Sequence, residues 1–248
     1  MLIAATAFVD VVCAFAAAPG VVRCAVERPA DTSKAWPLLL CFPDIFGNSE
    51  AHLRLMRRFA GHGFVVVSPE PWAYAYPPGT VFDFEADRQK ALDAQSLADV
   101  DAADVARRAV VVHFHHDSDG DDDKVYAIGF CYGGHLAFRA ACDDVIAATV
   151  CCYGTGLHTA KLGTVDVDSL ADAAAIKGEL LLVWGRNDGH VPAAGRATIH
   201  RALEDAGVRF EARHFDAGHA FMRDVGERYD PAATDEVVAA ALSLFRRR

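Results

Sequence analysis

In the stretch Val125 to Phe138, VYAIGFCYGGHLAF, one thiol lies between glycines, with Gly129 two residues before Cys131 and Gly133 two residues after it. A nucleophile at the tip of a tight strand-to-helix turn is forced into an unfavourable backbone conformation, and small neighbours at those two positions make the turn possible. The helix that begins there directs its free N–H groups and dipole at the sulfur, favouring a thiolate and any oxyanion formed beside it. A core cysteine beside a glycine turn fits the same stretch, and seven cysteines in the chain keep that reading open.

Such an elbow needs an acid after a later strand and a histidine after the last one. In LLLVWGRNDGHVP, Asp188 falls just past a buried apolar run, and in ARHFDAGHAFMRD, His219 falls on a glycine-containing loop past the final one. Each residue taken singly has a plainer reading, since Asp is a common turn former and a lone His is often structural. Three matches in the order nucleophile, acid, histidine make a Cys131, Asp188, His219 triad the stronger reading. Asp216 is the next candidate for the acid.

The elements that must position these residues are short runs of Val, Leu and Phe separated by longer segments of helical period. TAFVDVVCAF and GVVRCAVERP read as an opening antiparallel pair around Pro19-Gly20, and WPLLLCFPD reads as the first core strand. FVVVSPE, KVYAIGF, IAATVCCYG, ELLLVWG and RFEARHF continue the strand series. Helices fall on SEAHLRLMRRFAGHG, capped by Ser49, on LADVDAADVARRAVVVHFHH, on AAGRATIHRALEDAG and on PAATDEVVAAALSLFRR. The alternation predicts an α/β protein with a mostly parallel central sheet, helices on both faces and antiparallel N-terminal strands, forming a single domain over residues 1–248. Residues 155–177 read as a variable loop.

The chain of 248 residues carries a formal charge of -10, which disfavours nucleic acid and anionic membranes as partners. No run approaches the roughly 20 apolar residues of a membrane helix. The apolar N-terminus lacks a basic start and contains Asp10, so it does not read as a signal peptide. An odd cysteine set without CxxC pairs fits reduced thiols and a cytoplasmic setting. The cluster HFHHDSDGDDD from His113 to Asp123 lacks calcium-loop spacing and reads as a solvated helix end, leaving no metal site expected. Trp72, Tyr74 and Tyr76 read either as an aromatic pocket wall or as packing of a proline-rich loop. Oligomeric state is open, with a monomer as the default.

Together PDIFG, GFCYGG, YGTGL, NDGHVP and AGHAFMR, spread over about Leu38 to Phe245, resemble the dienelactone hydrolases of the α/β-hydrolase superfamily. The resemblance implies a cofactor-free hydrolase of small carboxylated lactones or enol esters, working through Cys131, His219 and Asp188 and a thioester acyl-enzyme. It also implies an oxyanion hole from the N–H groups of Ile45 and Tyr132, and substrate contacts from Phe46 and Tyr153. Asp44 stands where the family carries a glutamate that helps to activate the thiol, one methylene or about 1.5 Å longer. Of two family arginines that bind the substrate carboxylate, Arg223 matches one and Lys90 stands at the other, with Ala94 and Leu97 at the aromatic positions that follow. A general carboxylesterase or thioesterase on the same triad is the alternative, and a non-hydrolytic reactive-thiol protein is a second one.

Overall fold

The computed structural model describes residues 1–14, 19–115 and 124–247. Its centre is one eight-stranded sheet built from β1 (Ala7–Ala14), β2 (Pro19–Glu27), β3 (Leu38–Phe42), β4 (Val65–Pro69), β5 (Val125–Phe130), β6 (Ile146–Cys152), β9 (Glu179–Gly185) and β10 (Phe210–Phe215). The strand order is β1-β2-β4-β3-β5-β6-β9-β10. The two N-terminal strands run antiparallel and every pair from β4 to β10 is parallel. The missing pair, β7 (Lys161–Leu162) and β8 (Val165–Asp166), forms a small antiparallel ribbon within residues 155–177, flanked by 3-10 turns at Leu157–Thr159 and Ser169–Ala175. That segment, read from sequence as a loop, is thus partly ordered.

Strand composition follows position in the sheet. β3 and β5, covered on both faces, are buried at every residue, as parallel strands under two helical layers must be. At the edge, β1 alternates, burying Val11 and Cys13 while Phe8 and Val12 face outward. The turn between β1 and β2 and the acidic loop within His113 to Asp123 lie outside the described residues.

Alternation along β3 divides the core. Leu38, Leu40 and Phe42 face one layer with α2 (Arg88–Ser96), α3 (Val100–His115), α4 (Tyr132–Ala140) and α5 (Ala193–Asp205). Leu39 and Cys41 face the other with α1 (Glu50–Ala60) and α6 (Pro231–Arg246). Side-chain caps start the second pair of helices: Ser49 Oγ accepts from the His52 N–H, and Asp230 accepts from the Ala233 N–H ahead of Pro231 at the first turn. Among the described residues no helix is long and apolar enough to cross a membrane.

The chain reverses its direction across the sheet at β3, sending β4 to one side and β5 to the other. A crevice opens beyond the strands' C-terminal ends at such a reversal. There α4 begins in contact with the end of β3: a Cβ on Gly133 would overlap the carbonyls of Phe42 and Pro43, and one on Gly129 would overlap the carbonyl of Gly133. No side chain can move aside to relieve these clashes, because the obstacles are backbone. Gly133→Ala should therefore lower unfolding free energy by about 3 kcal/mol or more, read from urea midpoints, whereas Gly189→Ala, with open space around its Cβ position, should shift it by about 1 kcal/mol or less.

Candidate active site

Cys131 occupies the single turn between β5 and α4 with φ 56° and ψ -115°, a conformation seldom adopted by a residue with a side chain. Its N–H donates to the Cys152 carbonyl at the end of β6, and its carbonyl accepts from the N–H groups of Gly134 and Thr155. The turn is thus fixed by the neighbouring strand and cannot relax.

The structure brings His219 and Asp188 to this sulfur. His219 Nε2 lies 3.0 Å from Cys131 Sγ and Nδ1 lies 2.8 Å from Asp188 Oδ2. Asp188 is buried, and its Oδ1 accepts from the backbone N–H groups of His190 and Val191 at 2.8 and 3.3 Å. Burial raises its carboxyl, but these donors and His219 prevail and hold it below the usual range. Burial likewise opposes charge on His219, yet the Cys131 sulfur and Asp188 carry its pKa up to about 10. Both partners thus favour a proton on the ring. Asp216 instead accepts from the Asn187 side chain.

Around the sulfur lies a cavity of about 420 Å³, whose wall includes Asp44, Ile45, Phe46, Cys131, His219 and Arg223. Asp44 Oδ1 accepts from the Phe46 N–H at 3.0 Å, tightening the turn that presents Ile45. Among the described residues no backbone carbonyl accepts from Ile45 N–H. Tyr132, at the first position of α4, likewise has an N–H with no acceptor within its own helix. Asp44 Oδ2 is tied to Arg223 Nη1 at 2.7 Å. Among the described residues Asp44 makes no hydrogen bond to Cys131, and the sulfur's polar partner is His219.

Three residues expected around the substrate sit differently. Lys90 is not brought to the cavity: its side chain is 71% exposed and its ammonium pairs with Asp87 at 2.6 Å. Arg88, Leu92 and Gln95 line the cavity from the same helix, α2. These three recur at helical spacing on one face, and Lys90, two residues from Arg88, falls on another. That spacing was the signal available in DRQKALDAQ. Tyr153, with φ 41°, is buried behind the triad and packs edge-on against His219 with centroids 5.3 Å apart. It braces the imidazole and does not line the main cavity. Arg223 reaches the cavity, but its guanidinium is already engaged with Asp44 and lies 4.2 Å from the Phe84 ring centroid and 5.1 Å from that of Phe46. Trp72 is buried against Tyr132, and Tyr76 packs on Phe82, so the aromatic loop serves packing. Phe84, which the sequence reading passed over, is the aromatic cavity wall.

Among the described residues no cluster of His, Cys, Asp or Glu has metal-binding geometry. The other six cysteines are chemically quiet. Burial pushes the thiols of Cys13, Cys24, Cys41, Cys151 and Cys152 upward, and that of Cys142 to about 11.

A model of the dienelactone hydrolase family matches residues 22–248. The chain is 28% identical to the carboxymethylenebutenolidase of Pseudomonas sp. strain P51 over 212 residues, covering 85% of this chain and 84% of that protein. It is also 28% identical over 228 residues to a Saccharomyces cerevisiae protein assigned as a carboxymethylenebutenolidase, covering 86% of this chain and 81% of the relative. Among solved structures, a Klebsiella pneumoniae protein assigned as a dienelactone hydrolase superposes with a TM-score of 0.79 at 20% identity, covering 99% of this chain and all of that one.

Two measurements follow from the geometry. One equivalent of iodoacetamide at neutral pH should label Cys131 alone by peptide mapping, because burial keeps the other thiols protonated. In an NMR titration the His219 ring should keep its proton until about pH 10, and Cys131→Ala should bring that titration down, because it removes a negative partner. An unchanged midpoint would show that Asp188 alone holds the charge.

Proposed function

The chain belongs to the dienelactone hydrolase family, and from that premise we propose that it hydrolyses a small carboxylated lactone or enol ester through a thioester on Cys131. The observation that carries the reading is the continuous hydrogen-bonded line from sulfur through His219 to a buried Asp188. In this reading the Cys131 thiolate attacks the carbonyl carbon, and the carbonyl π pair moves to oxygen. The N–H groups of Ile45 and Tyr132 stabilise that oxyanion. Collapse breaks the ring C–O bond, and the departing alkoxide or enolate takes the proton from His219 Nε2.

The second half uses the change of charge made by the first. Once sulfur is acylated it is neutral, and one of the causes that hold His219 protonated is gone. The imidazole, now without its proton, accepts one from water as hydroxide equivalent adds to the thioester carbonyl. The second tetrahedral intermediate expels the Cys131 thiolate, releases the carboxylic acid and leaves His219 protonated again. Asp188 holds the tautomer throughout.

Asp44 has a structural part in this scheme. Its carboxylate neutralises Arg223 and braces the turn that carries Ile45, while His219 serves the sulfur. Arg88, in place of Lys90, is the cation on α2 that can meet a substrate carboxylate.

A general carboxylesterase reading is favoured by one observation: Arg223 is 12% exposed and already paired, and Phe46, Phe84, Leu92 and Val225 give the cavity an apolar wall. A reactive thiol without turnover would use His219 beside the sulfur but would not deacylate. Steady-state assays on a panel of anionic lactones and neutral esters, with Cys131→Ala as the blank, separate the three. His219→Ala should lower kcat by at least about 10³, and Asp188→Asn should lower it by on the order of 10⁴ through the wrong tautomer. A stable acyl adduct without turnover in the wild type would overturn the hydrolase reading.

A further inference from the structure

Three side chains at the cavity have no work in the scheme above or only part of one. Arg88 on α2, His190 on the loop after β9 and Arg228 on the loop after β10 all line it. Among the described residues none of the three side chains is hydrogen-bonded or ion-paired to the protein. The contrast with Arg223 is sharp, since that guanidinium is bound to Asp44 and stacked on two phenylalanines. A guanidinium without a partner can turn to an incoming anion at no cost of a broken ion pair.

Both arginines act electrostatically on the His190 ring. The His190 ring lies 4.3 Å from the His219 ring, centroid to centroid, on the cavity side of the triad. Burial first, then the charge of His219, and then those of Arg228 and Arg88 disfavour a proton on His190, while Asp188 favours one. The fields of both arginines therefore converge at the ring that stands next to the reacting groups. Glu85 and Glu227 line the same cavity without pairing with either arginine, and they work against an anion. In a chain of formal charge -10, an anionic substrate needs unpaired cations within reach of its carboxylate, and Arg88 and Arg228 stand there against these two glutamates.

Resting on the hydrolase reading of the same site, we propose that Arg228 and His190, with Arg88, form the anion-reading mouth of this cavity. The substrates are then esters or lactones whose carboxylate extends toward the mouth, away from Arg223. His190 meets that carboxylate as a ring N–H donor, and Arg228 as the unpaired cation.

Alkylation of Cys131 tests this without any turnover, because iodoacetate and iodoacetamide undergo the same displacement of iodide by sulfur and differ by one negative charge. The readout is the ratio of their rate constants at pH 7.5, divided by the same ratio for glutathione. The wild type should prefer iodoacetate by about tenfold on this scale. Arg228→Gln should lower the ratio about threefold or more, His190→Phe should lower it in the same direction, and Glu227→Gln should raise it. Arg201→Gln, an equal change of net charge on exposed α5, should leave it unchanged. In hydrolysis, Arg228→Gln should lower kcat/KM for a p-nitrophenyl hemisuccinate more than for p-nitrophenyl acetate. A wild-type ratio at or below that of glutathione, or an Arg228→Gln effect no larger than that of Arg201→Gln, overturns the mouth. Absence of any Cys131-dependent ester turnover overturns the hydrolase reading instead and leaves the alkylation result to stand by itself.

Discussion

One close approach sets the rest of the molecule: the first turn of α4 lies directly on the backbone of β3 at Phe42 and Pro43, with only Gly133 between them. This contact holds Cys131 in its left-handed conformation and sets the start of α4 beside the turn of Asp44 and Ile45. Two N–H groups from different elements are thereby brought to the same end of the sheet as the sulfur. A bulkier residue would push the turn of Cys131 away from the turn of Asp44 and Ile45. The helix that makes the contact is anchored on its far side by a buried ion network, in which Arg139 and Arg107 both bind Asp104, and Arg107 also binds Asp143. His135, buried and uncharged, ties the same helix to the Thr155 carbonyl and Ser169. Removing one partner from such a network leaves a buried charge unmatched, which makes it a rigid support for the strained turn.

Charge in the site is arranged in two separate pairs. His219 and Asp188 form one, with the sulfur as the third member, and Asp44 and Arg223 form the other. The separation has a chemical consequence. On the proposed reading the first pair changes protonation during the reaction, and it is aligned by ring packing from Tyr153 and His190. The second makes no hydrogen bond to the sulfur, and the phenylalanine faces around Arg223 lock its position. Asp44 consequently braces the turn of Ile45 and Phe46, while the hydrogen-bond partner of the sulfur is His219.

Much of this was legible in the sequence, and the reasons divide by range. The strands were readable because parallel strands under two helical layers are nearly continuous apolar runs, and LLLCF, VYAIGF and ELLLVWG could hardly be read otherwise. Cys131, Asp188 and His219 were readable because each is tied to a strand end, where a local motif predicts the position of its side chain. Lys90 was misplaced because a helix rotates its side chains by about 100° per residue, so an error of two positions moves a residue from the pocket face to solvent. Tyr153 also follows a strand end, but its φ of 41° turns the chain and sends the ring inward behind His219. No pattern in YGTGL announces that turn. The split of residues 70–80 into buried Trp72 and half-buried Tyr74 and Tyr76 depended on long-range packing against Tyr132 and Phe82, which sequence spacing does not encode.

The distribution of burial separates chemistry from selection. Asp188 and His219 are under 10% exposed and sit on loops held tight to strand ends, and the Cys131 sulfur at the end of that line opens to the cavity. Arg88, Leu92, His190 and Arg228 are exposed and come from one short helix and two loops. A change in the first group disturbs buried hydrogen bonds and reaches the core, whereas a change in the second alters only what the mouth presents to solvent. On the proposed reading the buried interior carries the reaction, and the exposed residues of the mouth, which no strand constrains, select the substrate.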